Sequence, residues 1–360
     1  MAILSMISQA LVYLCFAILT GSFILFLIPA NKRPTIQVPR GALVISTIGI
    51  ALFSFFPVLQ ILVYLVPNGG LSDTLQSVLL TFEVGKAWLF TFIISAILLI
   101  YIYLFDYQAK LFSSMGLAIT FILILALGWS SHASSYTQVW GFISDTLHFT
   151  AVSVWVGVLL VISWFSRNHQ NWTNFLKWFT PVALACFILT IVSGLFLMNI
   201  IVDDYTNSWP IPYGQMLLIK HLLIIPLIVF AAINSLLIKK KVQSDSSFNP
   251  LPWGKAESIL MLVIFAVTAS LGQQSPPRET AISGDNVSQL FNLVYQGAIQ
   301  ENMTVQFAPN MTAIMLGFVA LLFLVLMLFS FIKKGHATMT FLMGLFLVFS
   351  GYLALMLSIQ

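Results

Sequence analysis

The stretch VWGFISDTLHFTAVSVWVGVLLVISWF, residues 139–165, decides how this chain folds. It is 27 residues long, and Asp145 and His148 are its only ionisable side chains. A helix needs about 20 apolar residues to cross a bilayer, so this stretch is typical of a transmembrane helix. Because an ionisable side chain within a span is costly, Asp145 and His148 are candidates for a function.

The composition of the whole chain indicates the same class of protein. Hydrophobic residues make up 59% of the 360 residues and charged residues only 7%, against about 25% charged in an average soluble domain. So few charges are insufficient to cover the surface of a soluble protein of this length. Strands of a membrane barrel would be about ten residues of alternating pattern, which these long runs are not. The sequence therefore predicts an all-α, polytopic helical membrane protein.

Ten apolar runs of this kind are present along the chain. They cover residues 4–29, 41–66, 86–105, 111–130, 139–165, 175–200, 214–238, 256–272, 311–332 and 338–358. The first run has no basic region before it and no cleavage motif after it, so we expect it to be retained as a span. Between the second and third runs, LSDTLQSVLLTF (residues 71–82) is expected to form an interfacial helix.

The lysines and arginines predict the orientation, because cytoplasmic loops of membrane proteins carry an excess of both. With the N-terminus outside, twelve of the fifteen basic residues fall on the cytoplasmic side and three on the outer side. Their placement in short loops also argues against nucleic-acid binding, despite the net charge of +4. We therefore predict an N-out, C-out topology with a long outer loop at 278–310. Within that loop, SQLFNLVYQGAI (288–299) has the apolar spacing of a helix.

Three of the five histidines are predicted to meet in the outer half of the membrane. Asp145 and His148 are three residues apart and share one face of their helix, with His148 roughly 13 Å from the start of its span. His221 lies a similar ~10 Å into the seventh span, and His132 precedes the fifth span in GWSSHASS. The other two histidines fall in cytoplasmic loops.

Imidazole and carboxylate groups in one place indicate either a metal site or a proton relay. Neutral imidazole is a good ligand for copper and zinc, and a carboxylate commonly orients a ligating histidine. Asp145 takes that supporting role or binds the metal itself, unless Lys220 pairs with it rather than with Asp203 or Asp204. The alternative is structural, since a membrane histidine also serves as a hydrogen-bonding group between helices.

Further residues are candidates for a pathway or for support of the site. Methionine thioethers suit Cu(I), and four methionines lie near the outer ends of spans. Glu257 and Asn234 lie near the inner surface, where they would form a polar exit, and Gln273 ends the eighth span on the outer side. The supporting set is Met198, Met216, Met311, Met315, Lys220, Glu257, Gln273 and Asn234.

The stretch from Gly128 to Pro277 resembles the copper resistance protein D (CopD) family of bacterial membrane proteins. The motifs that carry the resemblance are GWSSHA (128–133), DTLHFTAVSVWVGVL (145–159), Ser193-Gly194, YGQMLLIKHLLIIPLIVFAAIN (213–234) and TASLGQQSPP (268–277). The resemblance implies four N-terminal spans in 1–130 and core spans five to eight in 131–277, and the two C-terminal spans in 311–360 lie outside it. It also implies a place in the bacterial cytoplasmic membrane.

The resemblance implies copper handling, with His132, Asp145 and His148 as functional positions and His221 added less directly. The leading hypothesis is a copper-binding transporter that imports copper, supplied by a separate CopC-like extracytoplasmic copper-binding protein. The alternatives are a haem-binding electron carrier, with His148 and His221 as axial ligands, and a copper-delivery factor for oxidase assembly. We expect no enzymatic activity, and the sequence has no nucleotide-binding P-loop pattern.

Overall fold

The structure is a computed structural model that describes residues 2–245, 247–279, 286–295, 297 and 304–359. Within these residues, ten helical segments are long and apolar enough to cross a membrane, and each coincides with a predicted span. The second segment, Arg40–Pro67, consists of two consecutive helices. The only extended pairings in the described part of the chain are two isolated bridges, Ile36 with Ser166 and Phe307 with Ile359. The predicted all-α, polytopic class is therefore confirmed.

The chain divides into two packing units, Met1–Ile200 and Ile201–Gln360. The first unit holds the first six spans, so spans five and six pack with the four N-terminal ones. Its helices are α1 (Ala2–Leu27), α2 (Arg40–Phe53), α3 (Phe56–Gly69), α4 (Leu71–Leu80), α5 (Glu83–Leu104), α6 (Lys110–Trp129), α7 (His132–Tyr136), α8 (Gln138–Phe165) and α9 (Trp172–Ile201).

The central helix of the first unit is α1, which packs against α2, α6 and α8. A Cβ atom on Gly21 would lie 2.1 Å from the carbonyl oxygen of Gly157, so α1 and α8 meet backbone to backbone. Small residues allow this close approach, which dispersion forces stabilise between helices in a membrane. The contact fixes the position of α8, which carries Asp145 and His148.

The last helix of this unit, α9, is buried at two places. All of its residues are described, and four of the five buried ones lie near its N-terminal end: Trp172, Phe175, Leu176 and Phe179. The fifth is Ser193, more than three turns further along the helix. The edge of Phe187 meets Trp155 of α8 at 5.7 Å between ring centroids. The C-terminal half of α9 therefore contacts its unit through few residues.

The second unit contains the last four spans. Its helices are α10 (Pro212–Ala232), which continues through a π-helical turn (Ile233–Leu237) into α11 (Ile238–Ser244), then α12 (Leu251–Leu271), α13 (Gln289–Val294), α14 (Met311–Ile332) and α15 (Ala337–Met356). α15 packs against α10 and α12 as well as α14. The two C-terminal spans thus belong to the same packing unit as spans seven and eight.

Two short helices lie where the sequence predicts helical segments outside the spans. α4 covers most of LSDTLQSVLLTF, and its Val78 forms an apolar cluster with Val58 and Leu62. α13 covers the first half of SQLFNLVYQGAI, and its Phe291 is fully buried. Residues 296, 298 and 299 of that segment, together with residues 280–285 and 300–303 of the predicted outer loop, lie outside the described residues.

Candidate metal site

Asp145 and His148 lie on the same helix, as predicted, and both side chains are half-buried. α8 begins at Gln138, so His148 lies ~15 Å along the helix from its start. Asp145 interacts electrostatically with Tyr13 of α1, whose hydroxyl accepts a hydrogen bond from Gln9 at 3.0 Å. The first unit therefore holds one carboxylate and one imidazole at similar depth.

The imidazole of His148 is hydrogen-bonded to α9. Its Nδ1 lies 3.1 Å from Oγ of Ser193, a side chain only 3% exposed. The Ser193 hydroxyl donates its single proton to the carbonyl of Leu189 at 2.6 Å. With the serine proton on Leu189, the hydroxyl oxygen is the acceptor for His148, and in this assignment Nδ1 carries the ring proton and Nε2 carries the lone pair. This is the tautomer that a metal ligand binding through Nε2 requires.

Gly194 completes the seat of this imidazole. A Cβ atom at that position would lie 3.4 Å from Cε1 and 3.6 Å from Nδ1 of His148, which is van der Waals contact with no space left over. Side chains larger than alanine would therefore displace the ring. The Ser-Gly pair quoted from the sequence thus has a physical role: one residue orients the ring and the next makes room for it.

The structure places His132 outside the spans. It is the first residue of α7, and its side chain is exposed. The Ser131 side chain caps this helix by accepting from the Ser134 backbone N–H at 3.2 Å. α7 packs closely on α8, because a Cβ on Gly141 would collide with the Ala133 carbonyl. His132 therefore lies at the same helix end as Asp145 and His148 but nearer the surface.

His221 belongs to the second unit, where Tyr205 is its partner. The Tyr205 hydroxyl lies 2.8 Å from Nδ1 of His221, and the two rings are 5.3 Å apart between centroids. Burial raises the pKa of Tyr205, which lies outside the spans, to about 12. The phenol therefore keeps its proton at neutral pH and is available to donate it to Nδ1. Trp209, which is 4% exposed, packs edge-on against Tyr205 and shields it.

The carboxylates considered as partners for Lys220 have other contacts. Arg278 donates to Asp203 through Nε at 2.9 Å, and this lowers the pKa of the Asp203 carboxyl. Asn207 donates to Asp204 through its backbone and side chain, which lowers that pKa as well. A carboxyl group with a depressed pKa stabilises the fold at pH values above its ordinary pKa of about 3.9. This stabilisation is lost as the pH falls through the lower pKa of the folded state. Since both carboxylates are exposed, this contribution is small.

A buried polar network in the second unit was not predicted. Gln215 is 0% exposed, and its Nε2 donates to the Trp209 carbonyl at 2.6 Å. Its Oε1 accepts from the Tyr352 hydroxyl at 2.5 Å. The network joins α10 to α15 at Gln215, which lies six residues before His221 on the same helix. An amide within an apolar run was the available signal, since polar groups in a membrane need partners.

The structure brings Asn234 and Glu257 together, as the sequence predicts. Asn234 Nδ2 donates to Glu257 Oε2 at 2.5 Å, and the two side chains are 7% and 3% exposed. They lie at the other end of the second unit's long helix from His221, thirteen residues away or roughly 20 Å. This pair is therefore a separate polar site within the same unit.

The remaining supporting residues are not concentrated at one place. Met311 and Met315 are 73% and 62% exposed on α14, as side chains facing lipid would be. Met198, Met216 and Gln273 are half-buried. Within each unit, the described residues contain no group of three His, Cys, Asp or Glu side chains that could hold a metal ion. Of the predicted ligands, His132, Asp145 and His148 belong to the first unit and His221 belongs to the second. That the four residues form one metal site therefore stays a prediction.

Two family models match the chain. The one described as "Copper resistance protein D-like, N-terminal domain" matches residues 1–142, and the one described as "Copper resistance protein D" matches residues 173–271. His132 lies in the first match, and Ser193, Gly194 and His221 lie in the second. Asp145 and His148 fall in residues 143–172, between the two matches, and the last two spans follow the second.

One curated relative matches part of the chain. It is described as "Copper transport protein CutJ" of Bacillus subtilis (strain 168), and it is 32% identical over 178 residues, 46% of this chain. The match covers 32% of the relative, so the chain spans about a third of its length. No solved structure matches the chain.

Proposed function

This chain belongs to the copper resistance protein D family, and on that basis we propose that it is a copper-binding membrane transporter. In this proposal, copper binds in the outer half of the membrane to His132, His148 and His221, supported by Asp145. It then passes inward through the helices of spans five to eight. The direction is import across the bacterial cytoplasmic membrane, with both termini outside.

The observation that carries the proposal is the way His148 is held. In this arrangement its Nδ1–H is bonded to Ser193, and Nε2 is the nitrogen that we propose as the copper ligand. Imidazole in this state is a good ligand for copper, and a hydrogen bond to the other nitrogen raises its basicity. Ser193 lies within the family match, so the seat of the imidazole and the family resemblance support the same chemistry.

The exposed position of His132 supports entry from the outer side. In the N-out topology, α7 lies on the outer surface at the start of span five, and His132 is the first of the set that external copper would meet. We propose that copper reaches it from a separate CopC-like extracytoplasmic copper-binding protein. A transient surface ligand suits this transfer, because the metal must be bound and then released inward.

The proposal is tested by copper stoichiometry and affinity of the protein purified in detergent. His148→Ala is expected to weaken copper binding by more than about 100-fold, because losing a ligand costs more than losing an outer hydrogen-bond partner. His336→Ala is the matched control, since His336 is exposed at the start of α15. Equal affinity in both variants would remove His148 from the site.

Two further measurements separate the alternatives. A Soret band in the absorption spectrum of the purified protein would replace copper binding with haem binding. Copper accumulation in proteoliposomes distinguishes transport from delivery to an oxidase, because a delivery factor binds copper without moving it across the bilayer. We expect accumulation with the parent protein and strongly reduced accumulation with His148→Ala.

A further inference from the structure

The carboxyl group of Glu257 is buried in the second unit without a cation. It lies on α12 about 9 Å from the start of the helix and is 3% exposed. Among the described residues, its side-chain partner is the amide of Asn234, at 2.5 Å. An isolated carboxylate is costly to bury in a protein, and more so within a membrane. The burial of Glu257 therefore favours a carboxyl group whose negative charge is neutralised by a bound proton or a small cation.

Asn234 has an unused acceptor at the same place. Its Nδ2 bonds to Glu257 and to the Trp253 carbonyl, whereas its Oδ1 is buried and has no hydrogen-bond partner among the described residues. Asn234 lies in the π-helical turn that interrupts the helix of span seven. Turns of this kind occur frequently at functional sites. The residue that holds the Glu257 carboxyl therefore also carries a buried oxygen without a hydrogen-bond partner in the described part of the chain, and a small cation or a proton would be stabilised at this pair.

The charged groups at this end of the unit do not neutralise Glu257. They are Lys239, Lys240 and Lys241 of α11, Asp245 directly after α11, Lys255 of α12, Lys333 and Lys334 after α14, and the titratable His336 before α15. Within the described residues, none of them forms an ion pair with the Glu257 carboxyl. On α10 and α15, the titratable groups are Tyr213, Lys220, His221 and Tyr352, and they lie three or more turns from this end.

We propose that Asn234 and Glu257 form a proton-exchange site, at which a copper cation on its way inward displaces the proton of the Glu257 carboxyl. In the exchange, the O–H bond of the acid breaks and the proton passes to the outer side, while the carboxylate balances one positive charge of the cation beside Asn234. When the cation leaves inward, a proton from the inner side restores the acid. Oxygen ligands hold copper weakly, which suits a place of release rather than of storage. This inference rests on the proposed transport function.

The first test asks whether Glu257 carries a proton, and it needs no copper. In infrared spectra of the protein at neutral pH, we expect the carbonyl band of a protonated carboxylic acid, and Glu257→Gln should remove it. Asp245→Asn is the matched control, because Asp245 is an exposed carboxylate at the same end of the unit, paired with Lys241 at 3.1 Å. A parent spectrum without the band, or a band that survives Glu257→Gln, overturns the proposal.

The second test follows protons and copper together in proteoliposomes with a pH-sensitive dye in the lumen. With the parent and with Asp245→Asn, copper entry should raise the lumen pH, because protons move out as copper moves in. Glu257→Gln should abolish the pH change. Copper entry without a pH change in the parent overturns the exchange and leaves the transport function standing. A parent that moves no copper overturns both, and the infrared band still shows whether Glu257 holds a proton.

Discussion

At the scale of single residues, Ser193 determines what His148 can do. The serine is too deeply buried to meet a ligand from solvent, yet its hydroxyl fixes the proton on one ring nitrogen of the histidine. The effect depends on the carbonyl of Leu189, which takes the serine's own proton. Leu189 and Ser193 of α9 thus act together on His148 of α8, and the ring lone pair is assigned to Nε2.

We expect Ser193→Ala to weaken copper binding by about 10–100-fold, as for other outer hydrogen-bond partners of ligating histidines. The alanine does not clash with the imidazole, but it removes the acceptor of the Nδ1 proton. The ring can therefore rotate and change tautomer. The measurement is competition with a copper chelator. Ser153→Ala is the matched control, since Ser153 is 1% exposed on α8 and its hydroxyl has no partner in the described residues.

If Ser193→Ala binds copper as tightly as the parent while His148→Ala does not, the serine has no positioning role.

The positions of Asp145 and His148 were predictable, because ionisable residues in an apolar run are conspicuous. The bond to Ser193 was not, because it joins residues 45 positions apart and depends on how α8 and α9 pack. Gln215 was missed for the same reason, since its partner Tyr352 is 137 positions away.

At the scale of helices, the spans were predictable and their irregularities were not. A helix must satisfy all of its backbone groups within a bilayer, so long apolar runs leave few alternatives. The π-helical turn at Ile233–Leu237 has no glycine or proline to mark it. Its presence depends on packing that apolar periodicity does not encode, although it positions Asn234 for Glu257.

The contact between α1 and α8 makes Gly21 sensitive to substitution. We expect Gly21→Ala to lower the free energy of unfolding by about 1–3 kcal/mol, because a methyl group there overlaps the Gly157 backbone and must push the helices apart. Gly41→Ala is the control, since nothing lies within 4 Å of a Cβ on Gly41. Thermal unfolding in detergent measures both, and equal melting temperatures would contradict the close contact.

The link between α10 and α15 gives a second prediction. Tyr352→Phe leaves Oε1 of Gln215 buried without its donor, which is expected to cost about 1–3 kcal/mol of stability. Tyr64→Phe, at a side chain that is 78% exposed, should have no measurable effect. A chemical unfolding curve that is the same for both variants would show that the network contributes little.

At the scale of the whole molecule, the distribution of basic residues predicts the orientation. In a background with Cys15 and Cys186 replaced by serine, Ser135→Cys in α7 should react with a membrane-impermeant maleimide on intact cells. Lys241→Cys in α11 should react only after the cells are opened. The reverse pattern would invert the topology and, with it, the direction of the proposed transport.

The division into two packing units was not visible in the sequence, because hydropathy locates spans but does not say which ones pack together.

The sparse burial of α9 has a consequence for the imidazole seat. Beyond its aromatic N-terminal end, this helix has one fully buried side chain, Ser193, and its other side chains are half-buried or exposed within the first unit. A membrane helix can accommodate a mismatch with the hydrocarbon thickness by tilting, and few buried contacts hold this part of α9 against such a tilt. We therefore expect the fatty-acid composition of the membrane, which sets that thickness, to change the geometry of the bond between Ser193 and His148.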